Sequence, residues 1–379
     1  MSNNSFEQAE AELQVYIQKD VLNYSRLRNF DFGSKQKNHV SYFSKFISHR
    51  IINEYDLLSK LLNIHKPELV EKFVQEIFWR IYWKGWLEKR PAVWVDFIKD
   101  INEIKANKGV EIALNSKTNI DCFDHWVFEL KQNNYLHNHA RMWFASIWIF
   151  TLKLPWQLGA KFFMENLMDG DAASNTLSWR WVAGLQTKGK HYLAKPWNIA
   201  KFTGNRFGQE KLAEESFPIQ EDFDYEIQAN PDYNYEKKSD YLILFENDLY
   251  INDRKKMFES YKKIWLVILK NSQRKIKLCE KVMSFKVKLI NDFSSIFKQA
   301  ESIEANELPK KISEFNSVDI IYPSVGENLD YVNKNLVNTN IKVNFIYRKE
   351  DTFCWEFAKK GFFKFKENIP RIMKEFQLG

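Results

Sequence analysis

Asp169 and Asp171 stand two positions apart in "MDGDAASNTLSWRW", and Asn175, Trp179 and Trp181 follow in the same stretch. Two carboxylates this close suggest a metal site or an acid–base pair. A calcium loop needs further oxygen ligands at its own spacing, and they are missing. A glycosidase-type carboxylate pair stays open, but it leaves the asparagine and both indoles without a task. The mixture of charge, amide and indole suits a pocket around a large aromatic ligand with polar edges.

Two other segments share that mixture. In "EIFWRIYW", Glu76, Trp79, Arg80 and Trp83 fall at i, i+3, i+4 and i+7, so one helix face carries all four. On open surface such a Glu–Arg pair contributes a few tenths of a kcal/mol. Among indoles on an apolar helix it equally reads as part of a pocket. In "YLHNHARMWFA", Asn138, Arg141 and Met142 share a face. His137 and His139 are two apart, roughly 200° around a helix, so they cannot close on one ion. Zinc-binding helices space their histidines at i, i+4, and no metal is expected.

The elements that must carry these residues are mostly helical. From about residue 7 to 182, apolar side chains recur every three or four positions. Pro67 and Pro155 suit early helix positions. Residues 186–240 are polar and turn-rich. After Asp240, "YLILFENDLYI", "KIWLVIL", "VDIIYP" and "NIKVNFIY" read as strands separated by helical stretches. The expected fold is an all-α domain over 1–207, a linker over 208–239, and a smaller α/β domain over 240–379 with a mostly parallel sheet.

Composition narrows the partners. The chain has 379 residues, a formal net charge of +7 and 16% aromatic residues, among them 13 Trp. Indoles at this density make a large aromatic core, or groups that stack on planar ligands and pass electrons. The mild positive excess fits a polyanionic partner such as nucleic acid without requiring one. Three widely separated cysteines exclude a four-cysteine zinc site and a cysteine-ligated iron–sulfur cluster. With no signal peptide apparent, they suit a reducing, cytoplasmic compartment. No apolar run is long enough to span a bilayer.

"HNHARM" and "DGDAASNTLSWRW", supported by "NHVSYFSKFISHR" and "EIFWR", resemble in order and separation the FAD-binding domain of the DNA photolyase and cryptochrome family. The resemblance runs from about Tyr24 to Phe207. It implies FAD as cofactor and UV-damaged DNA as partner. By this resemblance, Tyr24 stands near the FAD phosphates, Ser41 and Ser44 cradle the pyrophosphate, and Arg80 reaches the flavin–phosphate region. Asn138, Arg141, Asp169, Asp171 and Asn175 surround the isoalloxazine; Arg141 pairs with Asp169, and Asn175 faces flavin N5. Glu76, Trp79, Met142 and Trp181 match the family's contacts to a cyclobutane pyrimidine dimer flipped out of the duplex. Trp179 and Trp156 match the flavin-proximal members of an electron-transfer chain. The implied reaction splits the dimer with an electron from light-excited reduced FAD, which then returns. The implied catalytic set is Glu76, Asn175, Trp156 and Trp179.

The chain also departs from the family. His139 stands where DNA-repairing members often carry arginine. No indole stands near Ile112 to Leu114, the expected place of the distal chain member, and Trp126, Trp143 and Trp148 are the alternatives. Common photolyases place the α/β antenna domain first. Here residues 240–379 read either as a rearranged antenna domain with an unknown pigment or as a plain structural or interaction domain. Dimer repair by a monomer is the leading expectation. The alternative is a cryptochrome-like blue-light photoreceptor signalling through the C-terminal domain. A (6-4) photoproduct enzyme is less well matched, because that branch usually has histidine at the places of Asn138 and Met142.

Overall fold

Local hydrogen bonding sets the helix ends in this chain. The structure, a computed structural model, describes residues 4–33, 40–187, 189–221, 224–337 and 339–379. Helices fill the first half from Ser5 to Phe202. Eight of them matter to the site: α1 (Ser44–Ser48), α2 (Glu54–Leu62), α3 (Pro67–Glu88), α4 (Ala92–Glu103), α5 (Asn138–Ser146), α6 (Trp156–Asn166), α7 (Ala172–Ala183) and α8 (Pro196–Phe202). Asn53 caps α2, its Oδ1 accepting from the N–H groups of Tyr55 and Asp56 at 2.9 and 3.2 Å. Pro67 occupies the first turn of α3, where its missing N–H costs nothing. Pro155 directly precedes α6. Gly184 ends α7 with φ 86°, and a Cβ there would meet Pro218 Cβ at 2.5 Å.

The second half is built on five parallel strands: β1 (Tyr241–Phe245), β2 (Lys263–Ile268), β3 (Ala300–Glu304), β4 (Ser317–Ile321) and β5 (Lys342–Ile346). Their spatial order is β3-β2-β1-β4-β5. Leu242 pairs with Ile264 on one side and Asp319 on the other. Four strands match the apolar runs read from the sequence. The fifth, β3, was not expected. Its sequence "AESIE" is polar because it lies at the sheet edge and buries only Ile303. Helices α9 (Glu280–Ser294) and α10 (Glu327–Asn335) pack beside the sheet, and α11 (Phe362–Lys366) lies near the C-terminus.

The apolar cores run across both halves. One cluster joins Ala9 through Tyr82 with Leu242, Leu244 and Leu266 on one sheet face and with Phe362 and Leu378. A second holds Leu87 through Ile199. A third lies on the other sheet face around Ile243, Phe245 and Val267. Residues 208–239 carry no helix or strand among the described ones. They are nevertheless tied to both halves, through Gln228 N–H to Lys89 O and Tyr347 N–H to Asn234 O, each at 2.8 Å.

A buried ion cluster reinforces that contact. Arg50 donates to both oxygens of Asp351 at 2.6 and 2.7 Å, to Glu54 at 3.2 Å and to Asp248 at 3.2 Å. Arg348 holds Asp248 from its other side at 2.8 and 2.9 Å. Each charge here has at least one opposite partner, which is the condition under which buried charges are tolerated.

Candidate active site

Three helices carry the residues singled out in the sequence, and they converge. Helix α3 turns Glu76, Trp79 and Arg80 inward. Helix α5 supplies Asn138, Arg141 and Met142. Helix α7 and the turn before it supply Asp169, Asn175, Trp179 and Trp181. Together with Tyr24, Ser41 and Ser44, all of these line one cavity of about 760 Å³. That volume suits a large organic ligand. Asn38 and His39, the first residues of the "NHVSYFS" motif, lie outside the described residues.

Two of the expected residues stand outside this lining. Asp171 caps α7, its Oδ1 accepting from Ser174 N–H at 2.8 Å. Its Oδ2 accepts from Arg80 Nη1 at 2.5 Å. Burial raises the Asp171 pKa, but Arg80 and the Ser174 amide outweigh it and bring it down to about 2. Arg80 is itself shared with Glu54, whose Oε1 lies 3.0 Å from its Nε. Asp171 is thus bound up in positioning Arg80 and the start of α7. Trp156, at the start of α6, faces an open groove instead.

Arg141 and Asp169 are paired at 2.8 Å. Burial alone would lower the Arg141 pKa, yet Asp169 more than offsets it and the guanidinium stays cationic. Its Nε donates to Leu136 O at 2.9 Å, and its ring-facing side lies 5.4 Å from the Tyr135 centroid. Asn175 donates its Nδ2 to Ala160 O at 2.9 Å, so its oxygen is the group left for a ligand. Glu76 lies 3.8 Å from Arg28. Burial raises its pKa and Arg28 opposes that.

The cavity walls also hold unsatisfied groups. Ser44 Oγ, Asp169 Oδ1 and Trp179 Nε1 are buried without a hydrogen-bond partner among the described residues. Buried polar atoms are nearly always paired, so such a group calls for a ligand or water. A large ligand with both donors and acceptors, such as FAD, fits this set: hydroxyls and Arg80 for phosphates, and Arg141, Asp169 and Asn175 for a polar ring edge.

His137 and His139 line the cavity and are also engaged in the protein's own packing. His139 stacks on Trp143 at 4.0 Å, its Nδ1 lies 2.9 Å from Asn29 O, and burial lowers its pKa. His137 Nδ1 accepts from His139 N–H at 3.2 Å and caps α5. No cluster of three or more metal-ligating side chains occurs among the described residues.

Several contributors were invisible in the sequence. Glu54 is fully buried between Arg50 and Arg80, and only the Asn53 cap marked its helix. Phe362 stacks on Trp79 from far along the chain, and nothing in the spacing pointed to it. At the carboxyl ends of β1 and β4, where open α/β sheets bind ligands, the space is about 80 Å³. Glu246 there binds Lys286 at 3.1 Å and Arg274 at 3.2 Å. This is room for a few waters.

Comparison with known proteins agrees with the geometry. A family model for the FAD binding domain of DNA photolyase matches residues 73–207. A deoxyribodipyrimidine photo-lyase of Streptomyces griseus is 35% identical over 119 residues, 31% of this chain and 26% of that protein. The one of Buchnera aphidicola subsp. Acyrthosiphon pisum is 24% identical over 282 residues, 67% of this chain and 56% of that protein. The crystal structure of a bacterial class III photolyase from Agrobacterium tumefaciens shares 24% identity over 52% of this chain and 42% of that chain, with a TM-score of 0.45. The matches therefore span between 26% and 56% of these relatives. No helix among the described residues is long and apolar enough to cross a membrane. Residues 73–207 thus carry an FAD binding domain like that of DNA photolyase, and FAD is the cofactor this domain binds.

Proposed function

We propose that the protein is a light-driven DNA repair enzyme that takes a cyclobutane pyrimidine dimer into the 760 Å³ cavity. The observation that carries this reading is the convergence of Glu76, Trp79, Met142 and Trp181 on the cavity that also holds Arg141, Asp169 and Asn175. The first set suits a pyrimidine dimer and the second a flavin edge. Bound reduced FAD would supply the light-excited electron for ring splitting. Trp79 and Trp181 offer apolar walls to the flipped dimer, offsetting an unstacking cost of a few kcal/mol. Glu76, with its raised pKa, is the group to hydrogen-bond a pyrimidine edge. Arg141 presents a permanent positive charge, and Asn175 an amide oxygen. Trp179 lines the cavity and Trp156 a separate groove, and the two are read as the electron relay.

One observation favours a second reading as a photoreceptor. Phe362 ties Trp79 in the cavity wall to the C-terminal segment, so a change in the wall reaches residues far along the chain. Illumination of FAD-loaded protein with dimer-containing oligonucleotides separates the two. Restored pyrimidines support repair. Absence of repair on both single- and double-stranded DNA, with light-dependent protease sensitivity after residue 240, would replace it with the photoreceptor reading.

A further inference from the structure

Trp179 stands on α7 and Trp156 on α6, and the two helices pack against each other. The Trp179 ring rides over Gly159, where a Cβ would sit 2.4 Å from its Cη2. Gly159 is one turn beyond Trp156 on α6, so Trp179 packs on the same face of α6 that carries Trp156. Trp156 then lines an open groove of about 770 Å³, together with Arg180, Asp96 and Tyr225. The Arg180 guanidinium carbon lies 5.9 Å from the Trp156 ring centroid and 5.3 Å from that of Tyr225. Both oxygens of Glu221 hold it there at 2.7 Å. The Tyr225 hydroxyl hydrogen-bonds the Asp96 carboxylate.

We infer that Tyr225, with Asp96 as its proton acceptor, is the outermost electron donor of the relay that begins at Trp179. This rests on the relay reading of Trp179 and Trp156 made above. In the FAD-loaded protein under blue light, Trp179 would give up one electron to the flavin and Trp156 would refill Trp179. Tyr225 then gives one electron to Trp156 while its phenolic proton passes to Asp96. The products are a neutral tyrosyl radical and a neutral Asp96 carboxyl. An external thiolate in the groove returns one electron, Asp96 returns the proton, and the resulting thiyl radicals pair as a disulfide.

Electrostatics give this transfer its direction. A cation radical on Trp156 is repelled by Arg180. A tyrosyl radical that has lost its proton is neutral and escapes that repulsion. Burial and the Asp96 hydrogen bond raise the Tyr225 pKa against the opposing effect of Arg180, so the phenol holds its proton at neutral pH until it is oxidised. Trp126, Trp143 and Trp148 are fully buried and offer no contact to an external reductant. Trp94 reaches Trp156 by way of Phe97, with centroid steps of 5.7 Å, but it too is buried and its Nε1 is bound to Asp330.

The test is time-resolved absorption and electron paramagnetic resonance on FAD-loaded, full-length protein under blue light with dithiothreitol as the thiol. A tyrosyl radical should form in the natural chain and vanish in Tyr225→Phe, with flavin photoreduction slowed at least tenfold. Asp96→Asn should keep the ring in place but slow radical formation and change its dependence on deuterated solvent. Unchanged photoreduction in Tyr225→Phe, or its loss in Trp94→Phe instead, overturns the inference. Dimer repair by dithionite-reduced protein is scored separately: it tests the proposed function, and its loss in Tyr225→Phe would also overturn a pure relay role.

Discussion

Phe362 lies flat on Trp79, with ring centroids 3.6 Å apart and planes 11° from parallel. Trp79 also touches Trp83 at 5.1 Å. One face of the proposed lesion wall is therefore set by a residue from α11. Phe362→Ala opens a cavity and should cost about 3–5 kcal/mol in chemical denaturation. Affinity for a dimer-containing oligonucleotide should fall further than flavin loading does. Phe362→Leu should recover most of the stability. Unaltered dimer affinity in the alanine variant would leave Phe362 a packing residue alone.

Gly159 marks where α6 and α7 come too close for any side chain. An alanine Cβ would press on Trp179 and lie 3.0 Å from Trp148 Cε2. Gly159→Ala should destabilise by about 1–3 kcal/mol through overpacking. It should also turn Trp179 away from the cavity, seen as brighter flavin fluorescence and slower photoreduction. A normal melting curve with normal fluorescence would show that the helices part at little cost.

Asp169→Asn keeps the shape of the Arg141 partner and removes its charge. Arg141 is then left in the cavity wall without a counter-ion, at a cost of about 3 kcal/mol or less. The expected result is weaker retention of FAD on gel filtration. Retention equal to that of the natural chain would mean that the ligand itself satisfies Arg141.

Glu88 makes stability depend on pH. It ends α3, and its two oxygens accept from Tyr322 Oη and Val325 N–H, both at 2.8 Å. Burial raises its pKa from 4.5 to about 7, against the lowering effect of those two bonds and of Lys84. The folded protein thus binds a proton between about 4.5 and 7 that the unfolded chain has released. Stability should fall as pH rises through that window and level off above it. Glu88→Gln should flatten this slope in melting curves taken from pH 5 to 8. An unchanged slope would assign it to other groups.

The helical half was legible because a 3.6-residue period places Glu76, Trp79 and Arg80 on one face whatever surrounds them. The α7 segment was legible in its parts and less so in their roles. Asp171 was read as a ligand-side carboxylate, and it spends its oxygens on the helix start and on Arg80. An Asp directly before "AASNTL" is a capping pattern, so that role was readable in principle. His139, at the place where DNA-repairing members often carry arginine, is a ring stacked on Trp143. The edge strand β3 escaped notice because only one of its residues is buried.

Periodicity, caps and turn residues are short-range, and they set the helices and four of the strands from the chain alone. Which surfaces meet was settled by burial summed over distant segments. The first core joins Ala9 through Tyr82 to the sheet and to Phe362, although the helices themselves continue to Phe202. Arg50, Glu54, Asp248 and Asp351 carry ordinary charges in the sequence. Their value lies in being desolvated together, and no spacing rule reports which carboxylates will share one guanidinium once water is gone.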